Sequence, residues 1–296
     1  FPYTTLFRSE QMFVDVRSVS KEMLQGVDAV VYLAAISNDP MGASFEAITL
    51  DVNHRAAVAI AQLAREAGAG SFVFASSCSV YGFAEGGAKT EESAVNPLTA
   101  YAKSKVGAEQ DLAALARSNF AVTCLRFATA CGMSERLRLD LVLNDFVASA
   151  ITAKKITILS DGTPWRPLIH IKDMARAIDW GVQRKSSEGG EFLAVNAGSD
   201  GWNYQVIDLA AAVSKAIPNV EISINPNAQP DKRSYRVSFE KFRNLAPQYQ
   251  PEIDLHAAID DLRQGLQAMG FADQEFRNSH LIRLNVLKDL KARGCL

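Results

Sequence analysis

The sequence predicts an α/β protein, a doubly wound parallel sheet followed by a smaller α/β lobe. Three observations carry that reading. Asp28-Ala-Val-Val-Tyr-Leu-Ala-Ala35, residues 71–77 and Phe120-Ala-Val-Thr-Cys-Leu-Arg-Phe127 are continuous apolar runs, the pattern of strands buried on both faces of a parallel sheet. Amphipathic stretches over residues 45–67 and from about 99 to 117 lie between them, as crossover connections require. After about residue 133 the organisation changes to shorter alternating strands and helices that form the second lobe.

The bulk numbers bound the class. The chain has 296 residues, 48% of them apolar and 22% charged, which is ordinary for a globular protein. A net charge of −2 gives no general attraction to nucleic acid or to an anionic membrane, so neither partner is expected. The four cysteines (78, 124, 131 and 295) lack zinc or redox spacing, which fits free thiols and a cytoplasmic setting. The four histidines are scattered, so no metal site is expected. No apolar run approaches the ~20 residues of a membrane span.

In chain order, residues 1–9 match the translation of a common sequencing-adaptor oligonucleotide and are set outside the fold reading. Phe13 to Arg17 reads as the end of a short strand, and Ser20 to Gly26 as a short helix with Ser20 as N-cap. Leu33-Ala34-Ala35 ends the first apolar run with small residues that let backbone approach a ligand. The polar loop Ile36 to Gly42 then lies at a strand's C-terminal end, where ligands of open α/β sheets bind, making Ser37 and Asn38 candidate substrate contacts. Phe45 to Ala67 is a long helix carrying Asn53. Gly82 to Val95 reads as an exposed loop, and Asn96 or Thr99 starts a helix running to Arg117. In the second lobe, helices are expected over residues 141–153, 174–184, 204–216, 255–269 and 276–293, and strands over 156–159, 192–196 and 220–224.

The chemistry concentrates in Tyr101-Ala-Lys-Ser-Lys105. Tyr101 and Lys105 are four apart and share a helix face. A phenol alone titrates near ~10, and an ammonium beside it favours the phenolate. Ser77 ends the preceding apolar strand, where its hydroxyl can bond a substrate oxygen. A base for a hydroxyl proton, next to a carbon held against a nicotinamide, is what hydride transfer needs.

This combination of strand, Ser77, Tyr81-Gly82, a Pro97-led helix start, Tyr101 and Lys105 resembles the extended short-chain dehydrogenase/reductase family. The likeness is to its NAD-dependent nucleotide-sugar epimerase/dehydratase branch, of which UDP-glucose 4-epimerase is a type, and runs from about Asp15 to the C-terminus. It implies a Rossmann-type sheet over residues 10–133 and a mainly substrate-binding lobe over 134–296, with 168–200 returning to the first domain. It implies NAD as cofactor, leaving NADP open, and a nucleotide-diphosphate sugar as substrate. Catalysis falls to Ser77, Tyr101 and Lys105. Cofactor contacts fall to Asp15, Val16, Leu33, Ala34, Ala35, Asn53, Ser76, Tyr101, Lys105 and Ala128. Substrate contacts fall to Ser37, Asn38, Ser77, Thr129, Asn144, Arg166 and Arg233, the arginines on the diphosphate. His170 and Asp173 read as structural. A homodimer through the helices of Asn53 and Tyr101 is also implied.

Three departures from the family pattern shape the expectation. Cys78-Ser79 stands where dehydratases carry Asp-Glu, which disfavours 4,6-dehydration. Thr129, Cys131 and Met133 replace residues of the family's usual Asn-x-Tyr-Gly-Pro. No glycine-rich turn for a pyrophosphate precedes the first helix, so the chain reads as an N-terminally truncated fragment, expected to bind NAD weakly and to show little activity. Epimerisation through a 4-keto intermediate is the first reading. A 4-keto reductase and a catalytically silent NAD(P)-sensing protein are the alternatives.

Overall fold

The structure, a computed structural model, describes residues 11–37, 45–83, 86–225, 228 and 234–294. Its centre is a parallel sheet of four strands in the order β1-β2-β3-β7. These are β1 (Ala29–Tyr32), β2 (Ser71–Ser77), β3 (Ala121–Phe127) and β7 (Phe192–Ala197). Strand alternation divides the core. Phe72, Phe74, Val122 and Cys124 pack against helices on one face, whereas Val73 and Leu125 join Trp180, Val195 and Phe242 on the other. Burying an aromatic or aliphatic side chain of this size contributes about 2–3 kcal/mol, so β2 and β3 anchor the sheet.

The expected long helix is present with one local change. Helix α1 (Glu46–Leu50) continues through a π-helical segment, Asp51–Ala56, into α2 (Ala57–Ala67). The widened turn contains Asn53, which is fully buried. Gly68 ends α2 with φ +95°, a left-handed stop. Helix α3 (Ala100–Ala113) starts at Thr99, whose hydroxyl accepts from Ala102 N at 3.1 Å, and stops short of the expected Arg117. Its buried stripe includes Lys105, Ala108, Glu109 and Leu112, so two charged residues occupy core-facing positions.

The remainder forms the second lobe and returns to the first. Strands β4 (Thr129–Cys131), β6 (Trp165–His170) and β8 (Asn203–Gln205) make one small sheet, and β5 (Lys155–Ile158) pairs with β9 (Glu221–Ile224). Around them pack α4 (Val142–Thr152), α6 (Val206–Ala216) and α8 (Leu255–Ala268). Helix α5 (Ile171–Gln183) lies on the far face of the main sheet, where a short helix that the sequence reading missed, α7 (Glu240–Leu245), packs beside β7. Tyr235, Val237 and Phe239 join that same core, so this later stretch also returns to the main sheet.

Three local expectations are corrected. Residues 13–17 form no strand; Asp15 caps a 3-10 turn, Val16–Ser18, because its carboxylate is taken by Arg17. The 20–26 helix shrinks to a 3-10 turn, Glu22–Leu24, without a side-chain cap. The 276–293 helix is broken into a 3-10 turn, Phe276–Asn278, and α9 (Arg283–Ala292), which buries no residue.

Glycine is required at the turn after β2. Gly82 has φ +62°, and a Cβ there would lie 2.0 Å from the Asn96 carbonyl oxygen. Gly82→Ala is therefore expected to lower the unfolding free energy by about 2–4 kcal/mol, measured by urea denaturation; an unchanged midpoint would contradict the turn as described.

Candidate active site

The strand ends converge on a cavity of about 970 Å³ between the main sheet and the second lobe. Leu33, Ala35 and Ser37 reach it from the end of β1, and Ser76, Ser77 and Ser79 from the end of β2 and the turn beyond. Tyr101 and Lys105 enter from α3, and Ala128 and Thr129 follow β3. The second lobe supplies Arg138, Asp140, Asp145, Thr157 and Arg166, and Arg277 comes from the C-terminal segment. Thus Ser77, Tyr101 and Lys105 line one cleft.

Lys105 is the most constrained of these. It is 2% exposed, and its Nζ donates to the Ala75 carbonyl at 2.7 Å. The same atom lies 4.6 Å from the centre of the Phe74 ring and 5.5 Å from that of Tyr101. Burial pushes its ammonium down to about 7. Ser77 Oγ accepts from Ser79 N at 3.2 Å, capping the 3-10 turn Cys78–Tyr81 and leaving its O–H to donate. Ser79 Oγ is buried in the cavity wall and has no hydrogen-bond partner among the described residues.

The other predicted contacts divide. Leu33, Ala35, Ser37, Ser76, Ala128, Thr129 and Arg166 line the cavity. Ala34 points to the core behind β1 instead, as strand alternation dictates. Asn53 forms no part of the cavity wall. Its amide takes Ile36 N at 2.8 Å and donates to Ile36 O at 2.9 Å and Ser104 Oγ at 3.2 Å, so it braces the loop that presents Ser37. Asp15 and Val16 also lie off the cavity. Asp15 is bound at both oxygens by Arg17, whose hydrogen bonds hold its carboxyl down to about 2. Asn144 is a correction too: it is 1% exposed, accepts from Gly132 N at 3.1 Å and donates to Arg138 O at 2.9 Å, so its amide serves the loops. Asn38 and Arg233 lie outside the described residues.

His170 and Asp173 both make internal bonds. His170 Nδ1 accepts from Lys172 N, so Nε2 carries the proton and donates to Asp261 Oδ2 at 3.2 Å. Asp173 accepts from Glu252 N and Ile253 N. Gly132 packs against this ring at φ +111°, where a Cβ would meet Nε2.

Sequence reasoning missed the charged rim. Arg138 donates to Ser37 Oγ at 2.9 Å and is gripped by Asp140 at 3.1 and 2.7 Å, tying the two lobes together at the cavity. Arg277 binds Asp145 at 2.9 and 2.7 Å across 132 residues of sequence, a separation that leaves no local signal. Glu109 had a visible signal, since it continues the Tyr101, Lys105 spacing by four.

The residues at the cavity fit one end of a nicotinamide cofactor: small side chains at the ends of β1 and β3, with a phenol and an ammonium facing them. Residues 10–198 match the model of the NAD dependent epimerase/dehydratase family. An uncharacterised UDP-glucose epimerase of Bacillus subtilis is 31% identical over 160 residues, 53% of this chain and 49% of that protein. UDP-glucuronic acid decarboxylase 3 of Arabidopsis thaliana is 26% identical over 146 residues, 49% of this chain and 36% of that protein. The matched stretch thus spans half or less of these curated relatives. Among solved structures, MoeE5 in complex with UDP-glucose and NAD superposes with a TM-score of 0.77 at 22% identity, covering 87% of this chain and 85% of that one. That likeness establishes the fold.

The Lys105 environment makes stability depend on pH. The unfolded lysine titrates near ~10.4, so between about 7 and that value the unfolded chain binds more protons, and stability rises with pH. Lys105→Met removes the buried charge and is expected to stabilise the fold by about 1–3 kcal/mol at pH 6, with the gain fading by pH 10. Urea melts at the two pH values read it; a gain equal at both would show that Lys105 titrates normally.

Proposed function

The chain belongs to the NAD-dependent epimerase/dehydratase family, and we propose from that premise that it epimerises a nucleotide-diphosphate sugar through a transient ketone, C4 being the reacting carbon. The observation that carries the reading is the convergence of Ser77, Tyr101 and Lys105 on one large cleft. Bound NAD supplies the hydride acceptor and donor for the oxidation and its reversal.

The chain's own residues do the rest. Tyr101 takes the proton of the sugar hydroxyl and later returns it. Lys105 stabilises the phenolate from within the same helix and holds the cofactor's ribose. Ser77, its O–H left to donate, fixes the reacting oxygen, and the orphaned Ser79 hydroxyl takes a second sugar oxygen. Leu33, Ala35, Ser76 and Ala128 border the cofactor, while Ser37, Thr129 and Arg166 face the substrate, the guanidinium on the diphosphate. Arg233 and Asn38 complete the substrate set in this proposal. So do a homodimer through the helices bearing Asn53 and Tyr101, a cytoplasmic setting, and the division at residue 133 with 168–200 returning to the cofactor domain. The pairing of β7 with β3 supports that return. Elimination of water is disfavoured because Cys78 is fully buried and burial pushes its thiol far up, leaving no acid at that position.

The test is product analysis across UDP-, dTDP-, GDP- and CDP-sugars, a uronic acid included, with NAD supplied. An epimer as product, with Tyr101→Phe slowed at least about 10³-fold and Ser77→Ala about 10²-fold, is the expected result. Full turnover by Tyr101→Phe would end the assignment. A UDP-pentose and carbon dioxide from a UDP-uronic acid would replace epimerisation with decarboxylation.

A further inference from the structure

Beneath the cavity lies a buried ion pair that the proposed chemistry does not use. Glu109 on α3 is 5% exposed and Arg126 on β3 is 8% exposed. Arg126 Nη2 donates to Glu109 Oε2 at 2.7 Å, and Nε reaches both oxygens at 3.0 and 3.1 Å. Ser76 Oγ donates to Glu109 Oε1 at 2.5 Å. Arg126 Nη1 continues to the Tyr81 hydroxyl at 3.1 Å, which donates to Asn196 Oδ1 at 2.7 Å. One carboxylate therefore joins α3 to the C-terminal ends of β2 and β3, and through Tyr81 to β7.

Such a pair is a poor source of stability, since apolar replacements of equal volume are often neutral or better. Its placement points to another use. Three consecutive residues of β2 meet α3 and the cavity: Ala75 O holds Lys105, Ser76 holds Glu109, and Ser77 faces the cleft. The groups around Lys105 are few. Tyr101 and Glu109 face it from α3, the Phe74 ring and Ala75 carbonyl from β2, and Cys124 from β3. Burial raises the Cys124 thiol well above its ordinary range, so it stays neutral. Arg126 on β3 is matched by Glu109, and Arg184, which faces Cys124, donates to the Thr123 hydroxyl at 2.8 Å. Glu109, one helical turn from Lys105, is the carboxylate among these groups, and its charge is shared between Arg126 and the lysine.

We propose that Glu109, clamped by Arg126, is a positioning residue: it fixes Ser76 and thereby the Ser77 hydroxyl, and its charge favours the ammonium form of Lys105. This rests on reading Tyr101 and Lys105 as the proton-transfer pair, but its main readout does not require turnover. A pH titration of the full chain labelled with ε-carbon-13 lysine between pH 5 and 11, read by carbon-13 NMR with the Lys105 signal identified by its loss in Lys105→Met, gives the Lys105 titration directly. Glu109→Gln is expected to move that titration down by about one unit and to cut kcat about tenfold with KM within about twofold. Glu109→Asp should recover most of both. Glu109→Gln/Arg126→Gln replaces the ion pair by a neutral hydrogen-bonded one and covers the case in which the single variant does not fold. It too should titrate below the wild type, though less far.

Titrations of all three variants within about 0.3 unit of the wild type would overturn the proposal, however much the melting temperature falls. So would a shifted titration with unchanged kcat. If the wild type turns over no sugar at all while the titration still shifts, the functional reading fails and the electrostatic link between Glu109 and Lys105 stands.

Discussion

A single ammonium held almost out of water sets the arrangement of this molecule's centre. Lys105 occupies a core-facing position of α3, where a hydrocarbon side chain would pack with less penalty. Its Nζ is tolerated there because the Ala75 carbonyl accepts it and the Phe74 ring lies against it. Those contacts fix the rotation of α3 against β2. That rotation in turn places Tyr101, one turn earlier, on the cavity wall beside the end of the strand that carries Ser77. Local helix geometry, strand alternation and one desolvated charge thus determine where the reactive groups lie.

The second lobe completes the cleft through long-range polar ties. His170 at the end of β6 reaches Asp261 on α8, and Asp173 on α5 binds the backbone at residues 252 and 253. At the cavity, Arg138 joins the loop before α4 to Ser37 after β1, and Arg277 is bound to Asp145. These contacts recruit residues from both halves of the chain to one wall. They also explain why Asn53 and Asn144, though away from the ligand space, are fully engaged: each holds a loop whose backbone borders it.

Much of this was legible in the sequence because it depends on short-range periodicity. The strands at 71–77 and 120–127, the helix carrying Tyr101 and the shared face of Tyr101 and Lys105 follow from spacing alone. Residues 13–17 misled because two valines and a phenylalanine read as a strand, while the Asp15–Arg17 ion pair closes a turn there. The break between Phe276 and Arg283 was hidden because the polar pattern continues through it. The family resemblance puts Asn144 among the substrate contacts; in the structure its amide is engaged by Gly132 and Arg138, partners that only the fold brings to it. The Arg138, Asp145 and Arg277 rim was out of reach for the same reason.

The central claim is that Tyr101, Lys105 and Ser77 surround one reacting oxygen, and a crystal structure of the chain with NAD and a nucleotide-diphosphate sugar tests it most directly. The account predicts a sugar hydroxyl oxygen within about 3 Å of both the Tyr101 Oη and the Ser77 Oγ, with the Lys105 Nζ on the cofactor's ribose. A sugar bound in the cleft with its hydroxyls remote from Tyr101, or a Tyr101 ring turned out of the cavity in that complex, would contradict it.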